Sequence, residues 1–160
     1  MQIGVTGMSG IVDSWTERRI RAASTWIVER LAADFKDTSL PNLELRIDPT
    51  WDGSTDIPPG PRPEDVIVVS GGHEFPLRLD SGVEWACSQA AYQLQDDVIG
   101  EHGAPWPELY DGDGRYVGIL APPGDTEGLA QWQLNDQPFC AVGHLHRACE
   151  AAGLSIKTPE

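Results

Sequence analysis

Apolar residues recur at helical spacing early in the chain. Trp15, Ala22, Ala23, Trp26, Ile27, Leu31 and Phe35 share one face of a helix expected from about Ser14 to Phe35. Ser14-Trp15-Thr16-Glu17 reads as its capping box, and Arg18, Arg19, Arg21, Glu29 and Arg30 fall mostly on the wet side. After Pro41 the period becomes two. Leu43, Leu45 and Ile47 alternate with Glu44, Arg46 and Asp48, which predicts a half-buried strand. Residues 49–64 are rich in proline and carboxylates and read as a long loop.

Val66-Ile67-Val68-Val69 is a continuous apolar run and reads as a central strand. Ser70-Gly71-Gly72-His73 predicts a tight hairpin into a return strand carrying Phe75, Leu77 and Leu79 on one face. Pro76, which lacks an amide donor, places that strand at an edge. A second capping box, Ser81-Gly82-Val83-Glu84, opens a helix to about Ile99 with Val83, Cys87, Ala90, Ala91, Leu94 and Val98 on its stripe, ended by Gly100 and Gly103. A turn-rich stretch then leads to three β-prone runs, Tyr116–Ala121, Leu129–Leu134 and Phe139–Leu145. The segment Asn135-Asp136-Gln137-Pro138 turns the second into the third. From about Arg147 the tail reads as a short helix or as disordered, the disordered part being 150–160, and residues 2–6 add a short β-prone run at the start.

Strands outnumber helices, and most are joined by links too short for a crossover. The expected fold is α+β: one domain over 1–160, a mainly antiparallel sheet, and two amphipathic helices packed on one face.

Charge changes what such a domain can bind. Eleven basic residues face 25 acidic ones for a net charge of −14. That surface repels phosphate backbones and anionic lipid, so neither direct nucleic-acid binding nor a membrane surface is expected. The start of the chain shows no basic and apolar leader pattern, and no apolar run is long enough to span a bilayer. With three cysteines, an odd number, reduced thiols in the cytoplasm are the expectation.

The densest cluster of reactive side chains is Cys140-Ala141-Val142-Gly143-His144-Leu145-His146-Arg147-Ala148-Cys149. On a strand, Cys140, His144 and His146 share a side and become candidate zinc ligands, while Cys149 does not join them. The spacing matches no zinc module, and buried Cys with surface His is the plainer reading, so no cofactor is expected. A Cys–His nucleophile built from Cys87 or Cys140 with His73, His144 or His146 would need a lowered thiol pKa, which the acidic surroundings oppose. Gly4-x-x-Gly7-x-x-Gly10 lacks the Gly-Lys-Ser/Thr of a phosphate loop, and Asp13 and Glu17 would repel a phosphate there. Asp111-x-Asp113-Gly114 is a fragment of a calcium loop whose bidentate carboxylate position is Pro122, so it reads as a hairpin turn. Trp106, between two prolines, reads as a plug over the core. Trp51, beside Asp52 and Asp56 in the acidic loop, is a candidate partner contact.

The segment from Trp85 to Ile99, WACSQAAYQLQDDVI, followed by Trp106-Pro107-Glu108-Leu109, resembles small uncharacterised proteins of actinobacteria and their phages. That resemblance implies an origin and no activity. The Arg-rich, Lys-poor composition, with Lys36 and Lys157 as the two lysines, points to the same GC-rich coding.

The expected function is a non-catalytic protein-interaction module: an accessory, inhibitor or assembly protein whose partner carries a basic surface. One alternative is a small hydrolase, with or without metal, using Cys140, His144 and His146. Another is an acidic mimic of nucleic acid. The sequence leaves both monomer and homodimer open.

Overall fold

The computed structural model describes residues 15–38, 43–47, 62–70, 73–122 and 128–157. Helix α1 spans Glu17–Phe35 and is capped by Thr16, whose Oγ1 accepts the Arg19 amide at 3.1 Å. The cap therefore lies two residues beyond the Ser14 expected, and Glu17 pairs with Arg21 instead of reaching back. Its buried stripe is Ile20, Ser24, Ile27, Leu31 and Phe35, at successive steps of three or four residues. Ser24 is tolerated there because its hydroxyl donates to the Ile20 carbonyl at 2.6 Å. Three expectations fail on this helix, of which one is Ala22, placed on the apolar face but exposed. Trp26 is 47% exposed, whereas Arg30 and Asp34 are 8% and 1% exposed and sit among the apolar residues.

Strands β1 (Glu44–Ile47), β2 (Val66–Ser70) and β3 (His73–Pro76) form an antiparallel sheet with β2 in the centre. Leu45, Val68 and Phe75 lie opposite one another across the three strands, and Pro76 falls on an edge as its missing donor requires. Leu77 and Leu79 follow β3 and are buried.

Helix α2 (Val83–His102) starts without a side-chain cap: Gly82 holds the N-cap position at φ 109°. The second capping box is thus absent, because the Glu84 carboxylate is engaged elsewhere. Ala86, Cys87, Ala90, Ala91, Leu94 and Val98 are buried along α2. Gly103 ends the helix in the left-handed conformation, its amide donating to the Ile99 carbonyl at 2.7 Å. Gly100, expected as a stop, lies inside the helix.

Beyond α2, β4 (Glu108–Tyr110) pairs with β5 (Tyr116–Ile119) on one side and with β8 (Ser155–Ile156) on the other. Asp111 makes the β4–β5 turn, its carboxylate accepting the Asp113 and Arg115 amides, so the calcium-loop fragment is a hairpin turn. Strands β6 (Gln131–Leu134) and β7 (Gln137–Ala141) form a hairpin whose two loop residues, Asn135 and Asp136, have φ of 52° and 66°. A single antiparallel bridge between Ala121 and Gln133 joins this hairpin to the chain leaving β5. Helix α3 (Leu145–Ala151), the short helix that is one of the two forms expected, is followed by β8, and the described residues run to Lys157.

The fold is α+β with antiparallel strands, which among the described residues are divided between three small sheets. The core gathers Ile27, Leu31 and Phe35 of α1, Leu94 and Val98 of α2, Val66 and Val68 of β2, and Trp132 of β6. Trp106 is the plug expected of it. It is buried with its ring centroid 4.8 Å from Phe35 and 6.3 Å from Trp132. Gln95 braces it from α2, donating to the Trp106 and Leu120 carbonyls at 3.0 and 2.8 Å.

Candidate functional site

The two charges buried in α1 organise the region where reactive residues come closest together. Asp34 lies one turn after Arg30, so both face the β6–β7–α3 segment. Asp34 Oδ2 accepts the Trp132 indole N–H at 2.8 Å and the Gly143 amide at 2.6 Å, and Oδ1 accepts the Leu145 amide at 3.0 Å. One carboxylate thereby satisfies an indole and two otherwise orphaned backbone donors at the entrance to α3. Burial pushes the Asp34 carboxyl above its ordinary value, against the opposing pull of these three donors.

Arg30 works on the same segment with opposite sign. Its Nε donates to the Val142 carbonyl at 2.9 Å, while its two terminal nitrogens form a fork with Glu84 at 2.9 and 3.0 Å. Glu84 Oε1 also accepts the Ala130 amide at 2.8 Å. The Trp26 ring covers the outer face of the guanidinium at 4.4 Å. Gly143 fits between these groups because it has no side chain. Its φ is 105°, and a Cβ would come within 3.0 Å of Arg30 Cβ and Cγ.

The predicted strand Phe139–Leu145 ends at Ala141, and this separates the proposed metal ligands. Cys140 is half-buried on β7, His144 is exposed at the N-cap of α3, and His146 lies within α3. The alternation that would have aligned the two imidazoles is lost at the Gly143 turn. His146 Nε2 lies 3.1 Å from the Asp34 carbonyl, which can only accept, so Nε2 carries the proton; Nδ1 is 3.9 Å from Asp37 Oδ2. Among the described residues, no three His, Cys, Asp or Glu side chains are placed to hold a metal ion.

Burial pushes the thiols of Cys87 and Cys140 up to about 12 and that of Cys149 to about 11, with the Asp34 charge adding to each. A nucleophilic cysteine requires a shift in the other direction. Cys87 lies on the buried stripe of α2, as a small hydrophobe would.

An open cleft of about 320 Å³ lies over the Asp34 region, lined by Asp34, Lys36, Gly143, His146, Arg147 and Glu150 among others. Trp51, Asp52 and Asp56, the Gly4–Gly10 motif and the Gly71-Gly72 turn lie outside the described residues. Sequence reasoning missed Arg30, Asp34 and Lys36, and took Trp26 for core. The one available signal was a pair of charges, Arg30 and Asp34, spaced i and i+4 along the line of Ile27, Leu31 and Phe35.

No protein-family model, curated protein or solved structure matches this chain. Among the described residues, no helix is long and apolar enough to cross a membrane.

Proposed function

We propose that the chain is a non-catalytic protein-interaction module for a partner with a basic surface. The observation that carries this reading is the setting of Trp26. It is 47% exposed and its ring lies over Arg30, a guanidinium already fixed by Glu84 and the Val142 carbonyl. An exposed aromatic held against a rigid support loses little freedom on binding, a property of the residues that dominate interfaces. Leu129 is 49% exposed and adjoins Ala130, whose amide is held by Glu84.

The excess of 14 negative charges supplies complementarity to a basic partner and speeds encounter with it. Trp51, Asp52 and Asp56 are proposed as a further partner contact on the sequence alone. The internal use of the buried charges supports a binding role, since Asp34, Arg30 and Glu84 spend their hydrogen bonds on holding the fold together.

The test is affinity capture from cells that encode the chain, followed by reconstitution with the purified captured protein. The reading expects a basic partner, binding that weakens steeply with added salt, and a loss of about thirtyfold or more on Trp26→Ala. A purified partner that binds Trp26→Ala as tightly as the parent chain would overturn it.

A further inference from the structure

We propose that the outer face of the β4–β5 hairpin is a binding site for an arginine side chain of a partner protein. This site stands apart from the surface around Trp26 and does not depend on it. The antiparallel register sets Glu108 opposite Ile119 and Tyr110 opposite Tyr116, so these four side chains share one face. Leu109 and Gly118, which pair between them, are buried on the other face. Tyr116 and Ile119 are 56% and 39% exposed. The two tyrosine rings meet at 69° with centroids 5.8 Å apart, so they form an angle and not a flat stack.

A carboxylate is fixed beside the rings. The Tyr110 hydroxyl donates to Glu108 Oε2 at 2.8 Å, and that bond holds the Tyr110 phenol above its ordinary value, so the proton stays in place. Among the described residues, Glu108 Oε1 has no hydrogen bond and no ion pair. Lys157 follows β8 opposite Glu108, its amide donating to the Glu108 carbonyl at 3.0 Å, and Arg115 directly precedes Tyr116, yet neither side chain pairs with Glu108. Exposed π faces beside an uncommitted carboxylate oxygen attract a cation. Guanidinium suits them better than ammonium, because it is flat and weakly hydrated. It can lie on the Tyr116 face while an N–H at its edge donates to Oε1. The excess of 14 negative charges favours approach of such a group.

The experiment is a titration of the isotope-labelled full chain with the end-capped tripeptide Gly-Arg-Gly at constant ionic strength, followed by backbone amide resonances. The expected result is saturable movement at Glu108, Tyr110, Tyr116 and Ile119. The affinity should fall about threefold or more in Tyr116→Ala and in Glu108→Gln, and persist in Tyr116→Phe, which keeps the ring face. Lys157→Ala removes a like charge beside the site and should tighten binding, whereas Trp26→Ala should leave it unchanged. Movement that does not saturate, the same affinity in Tyr116→Ala, or its loss in Tyr116→Phe overturns the site. Capped Gly-Lys-Gly binding as tightly overturns the assignment to arginine. Free arginine binding more tightly than the capped peptide overturns the assignment to a side chain of a protein.

Discussion

The Trp132 indole donates its N–H to Asp34 Oδ2 at 2.8 Å, joining residues 98 positions apart in the chain. The same oxygen holds the Gly143 amide and its neighbour holds the Leu145 amide, so no oxygen of the carboxylate is spare. Asp34→Asn keeps the shape but replaces one acceptor with a donor, which must then face an N–H. A loss of about 3 kcal/mol or more is expected. Urea unfolding followed by tryptophan fluorescence measures it, and a loss below about 1 kcal/mol would show that the carboxylate does not hold the β6–α3 segment.

The Arg30–Glu84 fork yields a second prediction. Lysine at position 30 keeps the charge but cannot reach Glu84 with two parallel donors while also meeting the Val142 carbonyl. Arg30→Lys is therefore expected to cost about 2 kcal/mol, and Arg30→Ala about 3 to 5 kcal/mol because Glu84 is left unpaired. A double-mutant cycle with Glu84→Gln should give a coupling of more than about 1 kcal/mol. Additive losses would show that the pair does not interact in solution.

The β6–β7 turn can be improved. Asp136 sits at φ 66°, where a side chain is strained and glycine is not. Asp136→Gly should raise stability by up to about 1 kcal/mol, read as a higher midpoint in thermal unfolding. A lower midpoint would mean that the Asp136 side chain makes a contact worth more than the strain it relieves.

The thiols give the pH dependence. Each has a folded value above its ordinary 9.0: about 12 for Cys87 and Cys140, and about 11 for Cys149. Above pH 9 the unfolded chain has lost these protons while the folded chain keeps them. The stability they contribute is therefore complete below pH 9 and is lost as pH rises through the folded values. Cys87→Ala should flatten that alkaline decline in urea midpoints measured between pH 8 and pH 11. At pH 8, iodoacetamide should modify native Cys140 about a thousandfold more slowly than the unfolded chain, because a thiol raised from 9.0 to about 12 holds that much less thiolate. Comparable rates in the two states would show that burial does not raise the Cys140 thiol, and only a native rate faster than the unfolded chain's would reopen a catalytic reading.

Where local pattern decided the structure, the sequence was readable. The 3.6-residue period located α1 and α2, the valine run located the central strand β2, and Asn135-Asp136 marked a hairpin. Pattern failed where the deciding partner was remote. Arg30 and Asp34 look like solvent-facing charges because their counterparts are Glu84, the Val142 carbonyl and the donors at 132, 143 and 145. Glu84 looks like half of a capping box until Arg30 and the Ala130 amide claim it. Strands β4 and β8, of three and two residues, are too short for alternation to show. The candidate site was misread for the same reason, since the Gly143 turn that separates His144 and His146 from β7 is fixed by Asp34.

The span of the Asp34 and Arg30 contacts also bears on how the chain comes off the ribosome. Their hydrogen-bond partners at Val142, Gly143 and Leu145 emerge 109 to 112 positions after them. Until those residues are synthesised, the Arg30 Nε and the Asp34 carboxylate on the buried face of α1 lack these partners. Final assembly waits on residues more than 100 positions downstream, and such long loop closures make folding slow.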